Sequence, residues 1–132
     1  MSINQEKVTG IGGVFFKAKD PEKLKAWYRT HLGIESESWG AVFQWRDDPR
    51  SADASTAWSV FPEETKYFEP STQSFMINYR VANLQELLSA LRAEGVDVDP
   101  KSGEDSDFGK FGWVMDPEGN RVELWEPPAT QE

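Results

Sequence analysis

The chain contains no cysteine and only one histidine, His31. The first absence excludes disulfides, thiolate metal sites and cysteine nucleophiles. The second leaves one imidazole for ligation or base chemistry, and it sits at the end of a helix, where it favours the helix dipole. Long apolar runs are also missing: no stretch approaches the roughly 18 apolar residues that a membrane span needs. The opening residues Met1-Ser2-Ile3-Asn4-Gln5-Glu6-Lys7 lack the apolar centre of a secretory signal. A cytoplasmic location away from membranes is therefore expected. Basic charge is scarce, with 14 Lys and Arg against 23 Asp and Glu for a net charge of −9. That balance repels phosphate backbones, so nucleic acid is not an expected partner. Gly10-Ile11-Gly12-Gly13 precedes a strand rather than following one, so it is no phosphate cradle. A nucleophile elbow is absent as well.

Aromatic residues are plentiful: six Trp, eight Phe and three Tyr in 132 residues. A small soluble surface tolerates few of them, so most are expected in a core or lining a pocket. The length suits one domain, 1–132, with one sizeable core.

The chain reads as one module written twice, the first over about 8–68 and the second over about 72–127. Val8 to Lys19 predicts a strand. Asp20-Pro21 opens a helix as N-cap and first helical residue. Leu24, Trp27, Tyr28 and Leu32 give that helix an apolar stripe, and Gly33 closes it. In the second half, Phe75 to Val81 predicts a strand, and Asn83 with Glu86 forms a capping box. Leu84, Leu87, Leu88 and Leu91 form the stripe there, and Gly95 ends it. Short strands are expected at Gly40–Arg46, Ser55–Phe61, Val96–Val98, Phe111–Met115 and Arg121–Trp125. The last two are joined by the tight turn Asp116-Pro117-Glu118-Gly119-Asn120. Asp47–Asp53 and Pro100–Asp107 read as polar loops, and Pro62–Thr72 as the linker between halves.

These stretches resemble the vicinal oxygen chelate superfamily, which includes glyoxalases, bleomycin-resistance proteins and extradiol dioxygenases. The matching residues are Val14 to Asp20 with Trp27-Tyr28 and Leu32-Gly33, Tyr79 to Gly95, and most specifically Asp116 to Pro127. The resemblance implies an α+β fold of two tandem βαβββ modules, their sheets curled into a half-open barrel around a cavity. It also implies a divalent metal in many members, and often a homodimer. Carried over residue by residue, the family's four ligand positions fall on Gly13, Trp58, Met76 and Glu123. Glycine offers no side-chain donor, indole nitrogen does not coordinate, and a thioether suits hard ions poorly. The expectation is a chain without the family's metal or any other cofactor.

Strand alternation then defines the cavity wall. With Gly13 and Met76 inward, Phe15, Lys17, Asn78 and Arg80 face inward too. So do Phe111, Trp113, Met115, Arg121, Glu123 and Trp125. Val14, Phe16, Ala18, Ile77, Tyr79 and Val81 pack under the helices. The candidate ligand-binding residues are Phe15, Trp58, Asn78, Arg80, Trp113 and Trp125, around Glu123 as candidate catalytic residue. Such a wall suits a small aromatic or anionic molecule. A buried carboxylate needs a partner: Arg80 or Arg121 can neutralise it, and if neither does, a raised pKa makes Glu123 a candidate general acid or base. Three readings stay open. The chain binds a small molecule; or it is a lyase, isomerase or dioxygenase using Glu123 as metal ligand or general base; or it is a structural or interaction module whose dimer interface is its function, its inward aromatics simply filling the barrel.

Overall fold

The structure, a computed structural model, describes residues 14, 16, 18–50, 52, 54–58 and 61–128. Two helices pack on one side of a four-stranded open sheet. Helix α1 spans Pro21–Leu32 and α2 spans Leu84–Ala93. Strands β1 (Ile77–Arg80), β2 (Glu104–Ser106), β3 (Gly109–Met115) and β4 (Arg121–Glu126) lie in the order β1-β4-β3-β2. β1 runs parallel to β4, while β4–β3 and β3–β2 are antiparallel. The class is α+β, and the sheet is mixed.

The helix boundaries follow from local chemistry. Asp20 accepts the Lys23 backbone N–H at 3.1 Å, Pro21 takes a first-turn position, and Gly33 turns left-handed at φ +70°. At α2, Asn83 accepts the Glu86 backbone N–H at 3.1 Å, and the Leu84 N–H donates to Glu126 Oε1 at 2.8 Å. A carboxylate from β4 thus satisfies a helix end that would otherwise leave a donor unpaired.

The core lies between the helices and one sheet face. Leu84, Leu88 and Leu91 of α2 meet Val114, Val122 and Leu124, joined by Leu24 and Tyr28 of α1. Gly112 makes the close approach possible: a Cβ there would lie 3.1 Å from Leu88 Cδ2. Tyr79 and Val81 border the same cluster, as alternation requires.

α1 is tied to the β3–β4 turn by polar contacts. The Tyr28 hydroxyl donates to Asp116 Oδ2 at 2.8 Å, and the Lys19 and Asp20 N–H groups donate to Glu118 at 3.0 and 3.2 Å. Asp116 is 5% exposed. It also accepts from the backbone N–H of Glu118 and Asn120 and from Asn120 Nδ2, at 2.8–2.9 Å. The 116–120 segment is turn chemistry fused to a helix anchor. His31, at the other end of α1, meets Glu94 Oε1 through Nδ1 at 2.6 Å.

Several expected strands differ. Gly40–Arg46 is irregular and runs into a single 3₁₀ turn at Trp45–Asp47. Residues 55–58 are irregular as well. Among the described residues no strand forms in the first half, so the duplicated modules are not seen as two matching sheets. Aromatic alternation alone does not make a strand: its N–H and C=O groups need a neighbouring backbone to pair with. Val42, Phe43 and Trp58 stand 65%, 67% and 77% exposed, far from the burial expected of barrel walls. Most of the strand expected at 8–19 lies outside the described residues; Val14 is exposed, and Phe16 lies beside Phe75. Val96–Val98 contributes only a single bridge, Val98 to Val114, whereas the loop expected at 100–107 contains β2.

Candidate functional site

The sheet face opposite the helices is organised in rungs, because register brings residues of three strands level. Asn78, Glu123 and Trp113 form one rung across β1, β4 and β3. Arg80, Trp125 and Phe111 form the next, and Arg121 pairs with Met115 beyond. The expected alternation holds for these strands: the residues expected inward share one face of the open sheet.

Glu123 is at the centre, 7% exposed. Its Oε1 accepts from the Tyr67 hydroxyl at 2.5 Å and from Trp113 Nε1 at 2.9 Å, and its Oε2 accepts from Asn78 Nδ2 at 2.7 Å. All three donors are neutral. This corrects the expected partners, since neither arginine bonds to Glu123. Arg80 Nε donates to Asp48 Oδ2 at 2.6 Å, and Arg121 Nη1 donates to Asp99 Oδ2 at 3.1 Å. Both acceptors sit in loops whose backbone favours the anion. The Arg50 N–H and then the Arg80 guanidinium hold the Asp48 carboxyl below its ordinary pKa. The Lys101 N–H and then Arg121 do the same for Asp99. An acidic loop already bonded by its own backbone is the better ion-pair partner.

Aromatic rings surround this centre. Phe111 stacks on Trp113 and on Trp125, with centroids 6.5 and 6.2 Å apart. The Arg80 and Arg121 guanidinium groups lie 5.6 Å from the Trp125 centroid and 5.2 Å from that of Trp113. Tyr67 meets Trp113 edge-on at 6.2 Å and stacks on Phe61 at 5.6 Å. Burial, followed by the bond to Glu123, pushes the Tyr67 hydroxyl well above its ordinary pKa.

Of the expected site residues, the structure gathers Asn78, Arg80, Trp113, Glu123 and Trp125 on one face. Phe15 lies outside the described residues, as do Gly13 and Lys17. Trp58 stands apart and, among the described residues, makes no hydrogen bond or ring pair with this cluster. Tyr67 was missed, because 62–72 reads as a linker; its signal was the aromatic trio Phe61, Tyr67 and Phe68 in a stretch otherwise polar. Asp48 falls in the expected polar loop 47–53 and Asp99 between the expected strand 96–98 and loop 100–107, so no local pattern marks either as an arginine partner.

Among the described residues, the donor chemistry around Glu123 does not suit the family's divalent ion. Indole and amide N–H groups aim at the carboxylate, and a protonated phenol offers no anionic oxygen. No cluster of three or more His, Cys, Asp or Glu side chains suited to a metal occurs among the described residues.

All three tyrosines of the chain carry raised pKa values. Burial raises Tyr28 most, with Tyr79 and Asp116 adding to it; burial also pushes Tyr79 up to about 12. Raised folded values mean stability present in full below the unfolded tyrosine pKa of about 10 and lost as pH rises through the folded values. A spectrophotometric titration of the folded protein should show no tyrosinate step near pH 10. Ionisation should begin toward pH 12 together with unfolding, whereas denatured chain should titrate near 10. A full tyrosinate step near pH 10 in folded protein would contradict these environments.

With the geometry in place, comparison with known proteins identifies the class. Residues 13–125 match the Glyoxalase-like domain family, and the chain belongs to that family. The expected resemblance to the glyoxalases is thereby borne out. A superfamily member from Sphaerobacter thermophilus DSM 20745 shares 24% identity over 83% of this chain and 90% of its own, with a TM-score of 0.50. TnmS3, an antibiotic binding protein from Streptomyces sp. CB03234, shares 24% identity over 83% and 88%, at 0.49. TioX from Micromonospora sp. ML1 shares 15% identity over 87% and 94%, also at 0.49. No curated protein matches the chain.

Proposed function

We propose that this glyoxalase-like domain binds a small aromatic molecule on the Glu123 face and does so without a divalent metal. The observation that carries the reading is a buried carboxylate held by three neutral donors inside an aromatic wall. Phe111, Trp113 and Trp125 offer ring faces for stacking, and Glu123 offers a charged acceptor that fixes orientation. An anionic ligand is disfavoured: the central group is itself an anion, and both nearby guanidinium groups are engaged by Asp48 and Asp99.

Titration with neutral, cationic and anionic aromatic compounds, followed by tryptophan fluorescence, tests this. Saturable changes with neutral or cationic rings are expected, and weaker ones with benzoate-like anions. No response from any compound sinks the proposal. A catalytic role for Glu123 as base uses the same geometry, and turnover of a bound compound that stops in Glu123→Gln would favour it.

A further inference from the structure

Tyr67 reaches Glu123 from 56 residues away in sequence. It comes from a segment shaped by its own turns: Thr65 N–H to Pro62 O, Tyr67 N–H to Thr65 Oγ1, and Glu69 N–H to Lys66 O, at 3.0–3.2 Å. Its ring is held as a ligand ring would be, with one face stacked on Phe61 at an interplanar angle of 7° and an edge-on meeting with Trp113 at 87°. Its hydroxyl takes the remaining approach to Glu123 Oε1, beside the indole N–H of Trp113. Yet Tyr67 is 38% exposed and belongs to no helix or strand. Asn78 and Trp113, by contrast, are fixed in the sheet. Of the three donors on Glu123 among the described residues, Tyr67 is the one carried by a segment outside the sheet.

We infer that Tyr67 occupies the ligand's own place, and that the molecule bound here is a neutral hydroxyaromatic whose hydroxyl replaces the Tyr67 hydroxyl on Glu123. This rests on the proposed binding function and narrows it. A buried carboxylate losing a donor is costly, so the incoming ring must bring a donor of its own. An ether or a plain hydrocarbon ring cannot complete the exchange. The exchange is competitive and intramolecular, so the tethered tyrosine lowers apparent affinity for every ligand of this class.

The probe is p-cresol, the tyrosine side chain as a free molecule, compared with its methyl ether, 4-methylanisole. Binding is read from the Trp113 indole N–H resonance, assigned by its absence in Trp113→Phe, in the intact chain and in Tyr67→Ala and Tyr67→Phe. Tyr67→Ala should bind p-cresol at least tenfold more tightly than the unsubstituted chain. Tyr67→Phe, which keeps the ring but frees Glu123, should gain severalfold. The ether should bind at least tenfold more weakly than p-cresol to Tyr67→Ala. If other aromatic compounds bind the intact chain but neither Tyr67 substitution strengthens p-cresol, Tyr67 is a wall of the site, and the inference fails while the binding function stands. If no aromatic compound binds the intact chain or either variant, both fail together.

Discussion

Replacing Asp116 by alanine should lower the free energy of unfolding by about 3–5 kcal/mol, the largest effect expected of any single side chain outside the apolar core. Asp116 accepts four hydrogen bonds, from Tyr28, the Glu118 and Asn120 backbone N–H groups and the Asn120 side chain. Truncation leaves the buried Tyr28 hydroxyl and Asn120 amide without their acceptor, at about 1–3 kcal/mol each. It also removes the support that shapes the turn. Small domains hold about 5–15 kcal/mol in total, so much of the stability would go. Asp116→Asn keeps one carbonyl acceptor and should cost less. Urea unfolding followed by fluorescence measures both, and a cost below about 1 kcal/mol for the alanine variant would show that the anchor contributes little.

Glu123→Gln should leave the chain folded and weaken aromatic binding by about 10- to 100-fold. Gln has nearly the same shape, and the Asn78 side-chain amide can turn to present its oxygen to the new amide N–H. What is lost is the charge. A hydrogen bond to a charged acceptor contributes about 1.5–3 kcal/mol, which corresponds to that range of affinity. Fluorescence titration of the variant beside the parent chain decides it. Unchanged affinity with an intact fold would mean that the ligand does not touch Glu123, and the site would have to be sought elsewhere on the molecule.

What the sequence disclosed was governed by local chemistry. Asp20-Pro21, Gly33 and Asn83 specify helix ends within a few residues, so α1 and α2 could be read almost to the residue. The turn Asp116–Asn120 joins β3 to β4, and once that hairpin is placed, alternation puts Asn78, Arg80, Trp113, Glu123 and Trp125 on one face. Choices made by long-range competition were not legible. Arg80 and Arg121 lie within two residues or one rung of Glu123, which made them its apparent partners. Asp48 and Asp99, 32 and 22 residues away in sequence from their arginines, win because their loops already favour the anion. Tyr67 escaped notice because nothing periodic marks the segment that carries it. The expected strands of the first half rested on aromatic spacing alone, and spacing says which face a side chain takes only after a neighbouring strand exists.

The central claim is that the Glu123 face recognises its ligand through hydrogen-bond donors and aromatic rings, with no ion between. The measurement that tests it most directly is the dissociation constant of a bound aromatic compound in excess chelator, then after addition of zinc, nickel, manganese or iron(II). The account predicts one value throughout. Binding that disappears with chelator and returns with a divalent ion would contradict it.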